Sequence, residues 1–263
     1  MLPRPVRHWM YASGLKSAAR LTLPDFLGIG AQKSATTWLH ENLKAHPGAF
    51  VPQGEEKEIH FFDQRVRQWS LERYAELFAA GVGKIKGEIT PAYGILPPGR
   101  IRFIRAVIPN VRLIFLMRNP IERAWSHALM ELTWKVDRPF ADVKEPEFYD
   151  HFHSPASLMR GDYATILHHW LSVFPRWQVF VGYFEDVVCR PRELLGDIFR
   201  HLGLATEVDW PAFPYQKRVY GGSGAAMPER FRQELTDLYR APIERLARQW
   251  PRAEAWLDES PLE

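Results

Sequence analysis

Between Val111 and Met117 the chain reads Val-Arg-Leu-Ile-Phe-Leu-Met, an almost unbroken apolar run, and it passes at once into Arg118-Asn119-Pro120. A strand with one wet face alternates in polarity, so a run this continuous is expected where both faces are covered, as in the middle of a parallel sheet. Asn119 suits a helix N-cap, Pro120 the first helical position and Glu122 the third, so a helix is expected to follow directly. The same alternation recurs along the chain. Asp25–Gly30 reads as a strand ending in small residues, and Thr36–Ala45 as a helix that His46-Pro47-Gly48 stops. Lys84–Thr90 and Gln178–Phe184 read as strands, Tyr163–Phe174 as a helix, and Pro191–Leu202 as a helix closed by Gly203. Pro228–Trp250 reads as a long helix broken at Pro242. The sum predicts an α/β fold of three layers, a central mainly parallel sheet flanked by helices. The strand ends after Gly30 and at Arg118 would then share the carboxyl edge where such sheets bind ligands.

The 263 residues suffice for one such domain, expected over residues 25–263, with residues 1–24 as an exposed arm carrying a short helix. Arg4, Arg7, Lys16 and Arg20 interrupt any signal-like apolar core in that arm, and no stretch approaches the roughly 18 apolar residues of a membrane span. The single cysteine, Cys189, rules out an internal disulfide framework and fits a reducing, cytoplasmic setting. With 34 Lys+Arg against 31 Asp+Glu, the net charge of +3 favours small anionic ligands and gives no reason to expect a nucleic-acid partner. His151, His153, His168 and His169 lack acidic or thiol partners at ligand spacing, so no metal is expected and surface positions are.

The segment Gly28-Ile-Gly30-Ala-Gln32-Lys33-Ser34-Ala35-Thr36-Thr37 has the parts of an anion cradle: small residues, one lysine, and hydroxyls where a helix begins. It is not a Walker A loop. That motif needs glycine before the lysine and again five residues earlier, and this chain has Gln32 and Leu27 there. The strand ending at Met117 also delivers a cation, Arg118, where a magnesium-binding aspartate would be wanted, although Glu185 and Asp186 do follow another strand.

Several of these segments together resemble one family. Gln32-Lys33-Ser34-Ala35-Thr36-Thr37-Trp38 is similar to the 5′-phosphosulfate loop of sulfotransferases that use 3′-phosphoadenosine 5′-phosphosulfate (PAPS), and Arg118 with Ser126 eight residues on resembles their 3′-phosphate site. Lys57-Glu58-Ile59-His60-Phe61-Phe62-Asp63 and Thr90-Pro91-Ala92-Tyr93 are similar to segments of the heparan-sulfate type, and Gly161-Asp162-Tyr163 extends the likeness. It spans about Asp25 to Arg248 and is weak between Trp134 and Ser157.

The resemblance implies a P-loop-like fold and sulfuryl transfer from PAPS, with Lys33 neutralising the leaving oxygen and Glu58 taking the acceptor's proton. It implies cofactor contacts from Gln32 to Trp38, Arg118 and Ser126, with Arg218 and Tyr220 on a basic glycine-rich loop, and acceptor contacts from His60, Tyr93 and Arg160. That loop lacks the cysteine pair and lysine-rich run of the heparan type, so the acceptor stays open among a small molecule, a glycan and a lipid. Two other classes stay open: a P-loop enzyme of phosphoryl transfer, and a non-catalytic module that binds PAP (the product of PAPS) or another anion.

Overall fold

The structure is a computed structural model and describes residues 10–11, 13, 17–52, 57–217 and 225–257. Five parallel strands form one sheet: β1 (Phe26–Gly30), β2 (Ala49–Phe50), β3 (Ile85–Ile89), β4 (Arg112–Met117) and β5 (Val179–Tyr183), in the order β2-β3-β1-β4-β5. The helices are α1 (Thr36–Ala45), α2 (Leu71–Glu76), α3 (Pro98–Val107), α4 (Pro120–Leu132), α5 (Glu145–Phe152), α6 (Pro155–Gly161), α7 (Tyr163–Leu171), α8 (Phe184–Cys189), α9 (Pro191–Leu202) and α10 (Glu229–Ala247).

The apolar run of β4 is explained by the two cores it separates. Leu113, Phe115 and Met117 pack with residues of α3, α4, α7 and α10, while Ile114 and Leu116 point the other way, into a core built from α1 and α9. Burial on both faces makes a strand read as continuous rather than alternating. Next to β4 lies β1, and the chain leaves these two neighbours toward opposite edges of the sheet. The crevice at their carboxyl ends is therefore a topological switch point, the usual ligand position in such sheets. Gly30 ends β1 with φ 150, where an added Cβ would crowd the Phe115 ring, so a larger residue would push the loop that follows off its path.

Two expectations need correction. The helix read as broken at Pro242 runs unbroken from Glu229 to Ala247. Phe231, Leu235, Tyr239, Ile243 and Leu246 form one buried stripe across the proline, and burying that stripe outweighs the roughly 3 kcal/mol a proline costs inside a helix. Of the supposed exposed arm, Tyr11 and Leu23 are buried, and Tyr11 Oη donates to Glu72 Oε1 at 2.8 Å.

Gly161 closes α6 against α10, and a Cβ there would overlap the Tyr239 ring. Gly161→Ala is expected to lower stability by about 2 kcal/mol in urea unfolding, because Tyr239 must leave its bonds to Arg123 and Ser157.

Candidate active site

The loop between β1 and α1 is built as a donor cradle. Helix α1 starts at Ala35, a residue with no capping side chain, so the N–H groups of Thr36, Thr37 and Trp38 have no partner within the helix. These open donors and the positive end of the helix dipole face the same way. Lys33 (φ 70) and Ala35 (φ 59) adopt left-handed backbone, as does His60 (φ 54) across the site; among the described residues only Asp137 joins them outside glycine. Such backbone costs about 1 kcal/mol per residue and persists where its surroundings impose it. Ala35→Gly is accordingly expected to raise stability by about 1 kcal/mol, seen as a higher urea midpoint.

Three cations converge on the cradle. Lys57 Nζ donates to Thr37 Oγ1 at 2.8 Å, and Arg118 Nη1 donates to the Lys33 carbonyl at 3.2 Å, tying the end of β4 to the loop after β1. Arg118 is further set by Phe184, whose ring lies 4.7 Å below its guanidinium, by Glu122 at 3.9 Å, and by Tyr163 Oη, which donates to its carbonyl at 2.9 Å. Burial, then the fields of Arg118 and Lys57, hold the Lys33 ammonium below its ordinary pKa, and burial does the same to Lys57 and Arg118. Cations held this close, beside open N–H groups, are stabilised when an anion arrives. The residues present therefore fit an anionic group seated at the cradle.

Lys57 adjoins the second half of the site in sequence and in space. Its Nζ lies 3.8 Å from Glu58 Oε1, Glu58 Oε2 lies 3.2 Å from His60 Nε2, and His60 Nδ1 lies 2.7 Å from Asp63 Oδ2. The bond to Asp63, then that to Glu58, raises His60 to about 9, so the ring is an imidazolium at neutral pH. A buried base fixes this segment from behind. Glu88 accepts from Tyr74 Oη (2.5 Å), Tyr93 Oη (2.9 Å) and Thr90 Oγ1 (2.6 Å), while Tyr93 Oη and Thr90 Oγ1 accept the backbone N–H of Phe62 (3.2 Å) and His60 (3.4 Å).

Tyr93 is thus corrected as an acceptor contact: it is fully buried, and its hydroxyl is spent on Glu88 and Phe62. Tyr93→Phe is expected to leave the acceptor KM within twofold while lowering stability by about 1 kcal/mol. His60 makes a pH prediction. Its folded pKa lies above the ordinary 6.5, so its contribution, on the order of 2 kcal/mol, is complete below about pH 6.5 and lost as the pH rises through about 9. Denaturation midpoints of wild type and His60→Gln should therefore converge across that window.

The remaining expected residues are distributed unevenly. Ser34 is fully buried, and Gln32 is half-buried with an unpartnered Oε1. Only the backbone of Trp38 faces the cradle: its indole Nε1 donates to the Tyr215 carbonyl at 2.8 Å, in the core on the far side. Ser126 is half-buried on α4, one helix beyond Arg118, and Arg160 is half-buried on α6. Arg218 and Tyr220 lie outside the described residues.

Sequence reasoning passed over Lys57, although it quoted the motif that contains it. It also missed Phe184, and Trp134, whose ring centroid lies 4.9 Å from Lys33 Nζ in the stretch of weakest resemblance. His153 and His168 are exposed as expected, whereas His151 is half-buried with its Nε2 3.0 Å from the buried His127 Nδ1. Asp186 is taken by Arg190 (2.8 Å) and Arg252 (2.7 Å), and Glu185 Oε1 accepts from Trp256, so the carboxylates after β5 are already engaged. Among the described residues no three His, Cys, Asp or Glu side chains are grouped to hold a metal ion.

Known proteins resemble this chain in sequence and in fold. Residues 97–208 match the profile described as the Sulfotransferase family. The chain is 31% identical over 226 residues to heparan sulfate glucosamine 3-O-sulfotransferase 6 of Homo sapiens, covering 81% of this chain and 65% of that protein. It is 29% identical over 221 residues to the human 3-O-sulfotransferase 3B1, covering 82% of this chain and 54% of that protein. The chain thus spans between about half and two thirds of these relatives' length. Among solved structures, a sulfotransferase from Alicyclobacillus acidocaldarius superposes with TM-score 0.66 at 24% identity, over 92% of this chain and 98% of that one. A mouse sulfotransferase solved with PAP superposes with TM-score 0.56 at 14% identity, over 96% and 92% of the two chains. The fold is therefore the P-loop-like fold of these neighbours, and the sequences that the chain resembles are those of sulfotransferases.

Proposed function

We propose that the protein moves a sulfuryl group from PAPS to an acceptor hydroxyl or amine and releases PAP. The observation that carries this is the join at Lys57-Glu58: one residue bonds the anion cradle through Thr37, and the next presents a carboxylate toward His60. PAPS supplies an activated sulfuryl group on a phosphate leaving group. Lys33, Lys57 and the first-turn N–H groups of α1 neutralise charge on the leaving side. Arg118 and Ser126 hold the anion at the other end of the nucleotide. Glu58 takes the acceptor's proton, and the His60 imidazolium, anchored by Asp63, fixes the carboxylate's direction.

The relatives named for heparan sulfate support a glycan acceptor, with a small molecule or a lipid as the other classes. Among the described residues no helix is long and apolar enough to cross a membrane. A reducing, cytoplasmic setting is part of the proposal, supported by the unbridged, exposed Cys189, and fractionation of the native host checks it.

The deciding experiment is calorimetric titration with PAP and, separately, with ATP and magnesium. Micromolar or tighter PAP binding, weakened at least thirtyfold by Arg118→Ala, is the expected result. Tighter binding of ATP with magnesium would return the site to phosphoryl transfer.

A further inference from the structure

We propose that Arg123 is an interior counter-charge for the bound nucleotide: its guanidinium strengthens anion binding at the cradle through its field, without touching the ligand. This rests on the sulfotransfer reading above and adds to it a residue that sets affinity from inside the protein.

Arg123 lies on α4, five residues after Arg118, and among the described residues it is the only fully buried arginine. Its bonds hold the side chain in one place. Nη2 donates to the Ser157 carbonyl and to Tyr239 Oη, both at 3.1 Å, and Tyr239 Oη donates to the same carbonyl at 3.1 Å, closing a triangle between α4, α6 and α10. Nε and Nη1 have no hydrogen-bond partner and are sealed from solvent. A ligand cannot reach them, so whatever Arg123 does for a ligand it does at a distance.

The charge is also uncompensated. Arg118 and Arg232 each have Glu122 within 4 Å, at 3.9 and 3.0 Å, and Arg252 has Asp186 at 2.7 Å. Among the described residues no carboxylate lies that close to Arg123. Glu131 serves Lys135 and His127, and Asp63 serves His60. The groups that feel Arg123 are instead cations, imidazoles and a phenol. Burial first holds Arg118, Arg160, His127 and His151 below their ordinary pKa values, and the Arg123 field pushes each of them the same way. At Tyr163, whose Oη donates to the Arg118 carbonyl at 2.9 Å, burial raises the phenol to about 12 and the Arg123 field opposes that rise.

A lone charge inside a protein costs far more than a paired one, and the low polarity that makes it costly also lets its field carry. Arg118 lies between Arg123 and the cradle, since its Nη1 bonds the Lys33 carbonyl at 3.2 Å. An anion seated there supplies the negative charge that Arg123 lacks in the free protein. Two phosphates gain more from that field than one.

The test is calorimetric titration of wild type, Arg123→Met and Tyr239→Phe with PAP and with AMP, which carries one phosphate in place of two. Arg123→Met removes the charge and keeps most of the length, so it should weaken PAP at least tenfold and AMP less than fivefold. The loss should be the same at about 50 and about 500 mM salt, because ions in solution screen a buried charge poorly. Tyr239→Phe keeps the charge and removes one bond of the triangle, so PAP affinity should stay within twofold while the urea midpoint falls. PAP affinity unchanged in Arg123→Met, an equal loss for PAP and AMP, or a comparable loss in Tyr239→Phe would make Arg123 a pin between three helices and overturn the proposal. If Arg123→Met does not fold, Tyr239→Phe still decides, because a pin that shapes the site would lose PAP affinity there. Failure of PAP to bind the wild type would instead sink the sulfotransfer reading, and the same variants titrated with inorganic pyrophosphate would still decide the role of Arg123.

Discussion

Lys33→Ala is expected to lower kcat/KM for PAPS by about a thousandfold and to weaken PAP binding at least thirtyfold. The size follows from what the ammonium faces. Removing one preorganised donor aimed at developing charge costs about 10² to 10³ in rate. Lys33 is held partly desolvated among Arg118 and Lys57, where its interaction with an anion is less screened than in water. Single-turnover rates with labelled PAPS, paired with calorimetry for PAP, measure both quantities. Transfer at more than a tenth of the wild-type rate would assign the leaving-group charge to Lys57 instead. A secondary sign follows from the lowered pKa of Lys33: PAP affinity should begin to fall, as the pH rises, before the ordinary lysine value of 10.5 is reached.

Glu58→Gln should separate chemistry from binding. The amide keeps the shape and a hydrogen bond to His60 but cannot take a proton, so kcat is expected to drop by about 10² to 10⁴ while PAP affinity stays within twofold. The acceptor KM should change less than kcat, because the side chain is replaced by one of equal size. If kcat is unchanged, Asp63 or solvent is the base and the Glu58–His60 bond is structural.

Local rules made much of the fold legible. Asn119 accepts from Ile121 N–H at 3.0 Å as the N-cap of α4, Pro120 opens that helix, and Gly203 closes α9 with φ 75. These features depend on residues a few positions apart, and so does the Lys33 loop. Pro242 misled because helix continuity there is decided by α10's stripe against the rest of the core. Tyr93 misled for a related reason: a motif marks a residue as needed at a site without saying which side of the backbone it supports. Trp134 was invisible because its neighbour, Lys33, is a hundred residues away in the chain, and no spacing rule reaches that far. The pairing of Lys57 with Thr37 could have been anticipated, since both lie in recognised motifs, but nothing within either segment says that the two segments touch.

The Trp38–Tyr215 bond has a consequence for how the chain can be divided. Helix α1 offers its donors at the front only while its first turn is gripped from behind by a residue 177 positions later, whose hydroxyl Arg192 of α9 in turn holds at 2.7 Å. A fragment ending before Tyr215 would retain every residue of the cradle and lose the anchor that orients it. The anion site is thus not a portable loop, and grafting residues 28–45 onto another sheet would transfer the motif without its affinity.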